Sequence, residues 1–307
     1  MFLLRSVVVL ACVLVALLDC ASAYDAGSAY RNQRAFAAIR TGGIVQVWGD
    51  ITKGGAINND AAQTQLNLGG VSSITSTASS FCALKGNGAV VYWGADQSYD
   101  PTDIKLSTGV SKVYANDLSF AALKGDTSVV SWGSSLGSPP SDTGYKEIFS
   151  TSQSWAGLKT DNSVTLWGST TMGGASMGAI TNAKTIQSTN GAFTALLMDG
   201  SVKSWGDGYS GGNGPSSVLS NIGIIYANYC AFAAVDTTNM QVFTWGGASC
   251  GGSVPESTKN VVEIFSTKEA FAAIMQDRTV VAWGSSTGGG VAPSTLANVI
   301  TVTANAA

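Results

Sequence analysis

The chain has 307 residues, of which only 11% are Asp, Glu, Lys or Arg, with a net charge of −3 and no histidine. So little charge and no basic run exclude a nucleic-acid or anionic-lipid surface as the main partner. The missing imidazole removes the usual general base and the commonest metal ligand. Charge at under half the usual quarter leaves Ser, Thr, Asn and Gly to cover the surface, a composition that suits an extracellular protein.

Residues 1–23 read as a signal peptide: Arg5 is the positive n-region, Val7 to Leu18 the apolar core, and Ala21-Ser22-Ala23 a small-residue cleavage site. The mature chain is expected to start at Tyr24. The apolar core is too short to span a bilayer of about 30 Å, and no later stretch is uniformly apolar. The expectation is a secreted protein with no membrane insertion. Asp19 stands where a lipoprotein signal wants a small neutral residue, which argues against lipid attachment at Cys20.

Residues 24–307 are expected to form one domain, because a single repeat runs through them. Trp-Gly pairs stand at Trp48, Trp93, Trp132, Trp167, Trp205, Trp245 and Trp283, spaced by 45, 39, 35, 38, 40 and 38 residues. An aromatic precedes each by twelve residues (thirteen in the sixth), at Phe36, Phe81, Phe120, Trp155, Phe193, Phe232 and Phe271. Within each unit, apolar pairs such as Val110 and Val113, Ile222 and Ile225, or Val261 and Ile264 predict a first strand. The aromatic and the short apolar run after it, as in Phe120-Ala121-Ala122-Leu123, predict a buried second strand. A turn follows, seen as Asn87-Gly88, Asp161-Asn162 and Asp199-Gly200, chemistry that supplies positive φ. A third strand then carries Val three residues before every Trp, from Val45 to Val280.

The two ends of the chain bear on how the seven units close. The first unit has only Ala26 and Ala29 where its first strand should be, whereas Val299-Ile300-Thr301-Val302 is a strand-like run with no hairpin after it. The expected fold is therefore all-β: a seven-bladed β-propeller of mainly three-stranded blades, closed by the C-terminal strand so that edges are protected.

The run Val-x-x-Val-(x)6-Phe-Ala-Ala-Leu-Lys-x-Asp-x-x-Val-Val-x-Trp-Gly, at Val110 to Gly133, resembles the repeat of the regulator-of-chromosome-condensation family. Its short period is similar to that of the secreted bacterial β-lactamase inhibitory protein II, a seven-bladed member. The resemblance covers about residues 30–307 and implies the propeller fold. It does not imply exchange-factor activity or β-lactamase inhibition, since one fold hosts many functions.

Several motifs imitate active sites. Gly133-Ser134-Ser135-Leu136-Gly137, Gly174-Ala175-Ser176-Met177-Gly178 and Gly284-Ser285-Ser286-Thr287-Gly288 match the nucleophile elbow, which activates serine only through a base that this chain lacks. Gly206-Asp207-Gly208-Tyr209-Ser210-Gly211 matches a dinucleotide fingerprint but no helix follows to bind the pyrophosphate. Asp207 and Asn213 fall short of the six to eight oxygens that calcium takes, and three scattered cysteines have no zinc spacing. Asp126, Asp161, Asp199 and Asp277 read as turn formers. No cofactor, metal site or enzymatic activity is expected.

Cys82 replaces a core alanine. Cys230, in the turn before a second strand, and Cys250, just after a third, lie toward one end of the same unit; an oxidising compartment lets them bridge, and two free thiols are the alternative. The turns before each second strand and the segments after each Trp-Gly converge on one rim, where sequence varies most and recognition is commonly found. Tyr99, Tyr209 and Tyr229 lie there and are the candidate binding residues. The expected function is that of a monomeric, non-enzymatic scaffold binding an extracellular protein, with a lectin-like or structural role on a polysaccharide matrix as the alternative.

Overall fold

The computed structural model describes residues 32–95, 107–133, 138–175, 178–255 and 258–304. The signal-peptide stretch and Tyr99 fall outside the described residues. Contacts gather the described chain into two compact units, one of Gln187–Ser204 and Gly208 onward, the other of the residues up to Ile186 together with Trp205–Asp207.

The strands of the amino-terminal unit are β1 (Ala35–Arg40), β2 (Ile44–Gly49), β3 (Val71–Ser76), β4 (Ser80–Lys85), β5 (Val90–Gly94), β6 (Val110–Ala115), β7 (Ser119–Lys124), β8 (Val129–Gly133), β9 (Tyr145–Ser150), β10 (Ser154–Lys159) and β11 (Val164–Gly168). They pair antiparallel as β1-β2, β3-β4-β5, β6-β7-β8 and β9-β10-β11. A fifth sheet joins β12 (Ala183–Ser188), β13 (Ala192–Leu197) and β14 (Val202–Gly206). The carboxy-terminal unit holds β15 (Ile222–Ala227), β16 (Ala231–Asp236) and β17 (Val242–Gly246), then β18 (Val261–Ser266), β19 (Ala270–Met275) and β20 (Val280–Gly284). These are seven blades of an all-β propeller, six with three strands and one with two among the described residues.

Each blade is dictated locally by the same few residues. A left-handed residue opens the first strand: Gly109 in the third blade, Asn182, Asn221 and Asn260 later, with φ between 57° and 77°. Glycine and asparagine are the residues that enter this region at least cost. The second strand is buried through Ala83, Ala122, Ala195, Ala234 and Ala273, so neighbouring side chains pack directly over its backbone. In the fourth blade the small residue is Gly157, because a Cβ there would lie 2.5 Å from the Tyr145 ring. The hairpin between second and third strands is closed by Asp126, Asp161, Asp199 or Asp277. Each carboxylate accepts a backbone N–H two residues on, at 2.9–3.0 Å, and the hydroxyl of that same Ser or Thr at 2.6 Å. Those side-chain hydrogen bonds, with the backbone ones second, hold the four carboxyls below their ordinary pKa.

Directly opposite one another across the second and third strands, the aromatic and the Trp stack, with ring centroids 5.3–6.2 Å apart in six blades. Trp93, Trp205 and Trp283 also donate their indole N–H to a glycine carbonyl in the loop of the preceding repeat, each at 3.1 Å. The markers that made the repeat visible are thus its blade-to-blade cement.

Two features differ from the sequence expectation. Residues 299–304 form no strand, and among the described residues β1-β2 is two-stranded, so the closing strand expected at Val299–Val302 is not formed. The segment begins as a first strand does, with Asn298 at φ 58° and the Val299 N–H donating to the Arg278 carbonyl at 3.0 Å. The run is not paired with β1, the strand it was expected to join, and β1 has no strand on its other edge among the described residues. Phe36 and Trp48 of the two-stranded blade are 63% and 50% exposed, while their counterparts in every other blade are buried. The second difference is a helix, α1 (Asp60–Asn67), which fills the longest spacing in the repeat; the Asn59 side chain caps it by accepting the Ala62 N–H at 3.1 Å.

Candidate functional site

In the five repeats where it lies among the described residues, the segment after Trp-Gly follows a common plan. Four residues make a tight turn and a left-handed glycine ends it: Gly54, Gly173, Gly211, Gly251 and Gly289 have φ between 91° and 99°. The residue closing the first strand of the same blade reaches over to the carbonyl before that glycine. Thr151 donates to Met172, Thr189 to Ser210, Thr267 to Gly288 and Asn228 to Cys250, at 2.6–2.9 Å. Two loops per blade are therefore locked together at one end of the sheet, where the side chains left over are free to be recognition elements.

In the carboxy-terminal unit this end carries the candidate tyrosines. Tyr209 sits in the turn after β14 and is 61% exposed. Its hydroxyl meets the Ser249 Oγ at 2.6 Å, in the turn after β17. Its ring lies against Gly247: a Cβ at that position would be 3.0 Å from the ring Cζ and 2.7 Å from the Cys230 sulfur. Corresponding places in other repeats hold Asp50, Ser169, Asp207 and Ser285; the one glycine among them is where a tyrosine crosses from the preceding repeat.

Tyr229 lies between the cap residue Asn228 and Cys230. Its N–H donates to the Lys268 carbonyl at 3.1 Å and its carbonyl accepts from the Asn190 N–H at 2.8 Å, so three successive blades are tied in a row at this position. The Lys268 ammonium stands 5.1 Å from the Tyr229 ring centroid, a cation–π arrangement. Cys230 and Cys250 are bonded to each other, Cα atoms 5.7 Å apart, and both are buried beneath this surface. Cys82 is a buried free thiol whose ionisation is pushed well up by desolvation.

Tyr209 and Tyr229 are thus brought to the same end of adjacent blades, and Tyr99 lies outside the described residues. Asn190, Gly247, Ser249 and Lys268 were missed in the sequence; the substitution of glycine for Asp or Ser at 247 was the signal for the first of the contacts. In the other unit the residues matching Tyr229 include Ala78, Asp117 and Ser152, and Asp117 is a half-buried carboxyl whose pKa burial pushes up to about 6.

The repeat and the sheet order together define the class of fold: a seven-bladed, all-β repeat propeller. No protein-family model matches the sequence, and no curated protein matches it. Among solved structures, the ectodomain of the Physcomitrella patens receptor kinase CR4 is 17% identical, with a TM-score of 0.46 over 82% of this chain and 70% of that one. The ectodomain of the Arabidopsis thaliana receptor kinase ACR4 is 19% identical, TM-score 0.42, over 67% and 80%. Prp20p from Saccharomyces cerevisiae is 14% identical, TM-score 0.44, over 83% and 70%. At such identities the likeness concerns architecture alone and carries no residue role across.

Proposed function

We propose that this protein is exported after loss of residues 1–23 and acts as a non-enzymatic scaffold. It binds an extracellular protein through the loop end that presents Tyr209 and Tyr229. The observation that carries the reading is Tyr209: a large aromatic, mostly exposed, yet held by Ser249 and seated on Gly247 rather than left to swing. A fixed amphipathic ring loses little entropy on binding and is the kind of residue that dominates interfaces. Tyr229, Lys268 and Asn190 extend the surface with a second ring, an ammonium and an amide.

The test is substitution of both tyrosines by serine, which leaves charge unchanged. Loss of partner affinity with retained thermal unfolding supports the reading, and unchanged affinity overturns it. Multivalent glycan binding with calorimetric stoichiometry above one would replace it with the polysaccharide role.

A further inference from the structure

We infer that the Cys230–Cys250 disulfide is a positioning device for the tyrosine surface and not a requirement of the blade. This deepens the proposed binding role and rests on it.

The other repeats close the same junction without a disulfide. The junction bridged by the disulfide is held elsewhere by hydrogen bonds alone. A cap side chain donates to the turn, as Thr151 does to Met172 and Thr267 to Gly288. A backbone N–H answers it, as Ser169 donates to Gln153 at 3.0 Å and Ser285 to Glu269 at 2.9 Å. The sixth blade has both of these bonds: Asn228 Nδ2 donates to Cys250 at 2.6 Å and the Gly247 N–H to Cys230 at 2.8 Å. Its covalent link is additional to a junction already complete.

What is particular to this junction is what surrounds the sulfurs. Each half-cystine is one residue from a group that fixes a tyrosine: Cys230 follows Tyr229, and Cys250 follows Ser249, the hydroxyl partner of Tyr209. The Cys230 sulfur and the Tyr209 ring both close on the space beside Gly247, so the disulfide floors the seat of that ring. Both cysteines are buried, so the link acts on a partner only through the residues above it. Restricting two loops at once reduces the ordering cost of binding, which is how preorganisation raises affinity.

The experiment is hydrogen exchange with mass spectrometry on the oxidised protein and on two paired variants, Cys230→Ser with Cys250→Ser and Cys230→Ala with Cys250→Ala. The amides of Tyr229, Gly247, Cys250 and Gly252, all hydrogen-bonded at this junction, are expected to exchange at least about tenfold faster, beyond any change in the amides of β16 and β17. The inference is overturned if junction and strands loosen by the same factor, if the junction is unchanged, or if neither variant folds, since the link would then belong to the blade itself. Faster junction exchange with unaltered partner affinity would also overturn the inference, since the link would then position nothing that a partner uses, while the binding role of the tyrosines is decided separately by their substitution with serine.

Discussion

The packing of Tyr145 over Gly157 gives the sharpest energetic prediction. Tyr145 opens the first strand of the fourth blade where other blades have Val71, Val110, Ala183, Ile222 or Val261, and its ring reaches over Gly157, where they have alanine. A methyl at Gly157 would lie 2.5 and 2.6 Å from two ring carbons of Tyr145 and 3.2 Å from the Trp167 ring. Tyr145 is fully buried and its hydroxyl donates to Asp142 at 2.6 Å, so the ring cannot step aside. Gly157→Ala is expected to cost about 1–3 kcal/mol by overpacking. Tyr145→Val alone removes a ring and a hydrogen bond, at about 3 kcal/mol or more. The double variant recreates the Val110 and Ala122 pair of the third blade and should recover about 1–2 kcal/mol relative to the sum of the singles. Urea unfolding of all four proteins measures this cycle. Additivity within about 0.5 kcal/mol would refute the claim that the two positions compensate each other.

Three further predictions follow from the same structure. Gly247→Ala places a methyl between the Tyr209 ring and the Cys230 sulfur; the exposed ring gives way first, so fluorescence quenching of tyrosine should rise while the melting temperature falls only slightly. Removing the disulfide, whose cysteines are 20 residues apart, is expected to cost about 3 kcal/mol through the unfolded chain, read by denaturant titration. Burial pushes the Asp117 carboxyl up to about 6 from an ordinary 3.8, so the folded state holds the proton more tightly and stability falls as pH rises from about 4 to about 6. Asp117→Asn should therefore stabilise at pH 7 and not at pH 4, by no more than about 1 kcal/mol once solvent screening of a half-buried group is allowed for.

Much of this fold can be read from spacing alone, because Trp-Gly, the aromatic twelve or thirteen residues earlier and the small residues between them recur in seven units and perform one buried packing task in six of them. The turn aspartates were equally readable, since their chemistry is local. The C-terminal run was not. Val299 to Val302 has strand composition, and Asn298 opens it like a first strand, but a strand exists only where its backbone pairs with a neighbour, and composition does not say whether it does. α1 was missed for a different reason: Asn59, Asp60 and the Ala62 and Leu66 pair are a capped amphipathic turn, concealed by attention to the repeat. The tyrosine surface lies between these cases. Tyr209 and Tyr229 stood out as aromatics in variable loops, while their supports depend on one repeat reaching over the next, a relation that no single unit of the sequence displays.

The central claim is that the Tyr209 and Tyr229 surface binds an extracellular protein, and the direct measurement is affinity. A partner captured from the medium on the wild-type chain would be titrated against that chain and against Tyr209→Ser with Tyr229→Ser. Two aromatic anchors at an interface are each worth about 1–2 kcal/mol or more, so the double variant is expected to bind at least about tenfold more weakly while unfolding at nearly the same temperature. Equal affinity for the two chains would contradict the account.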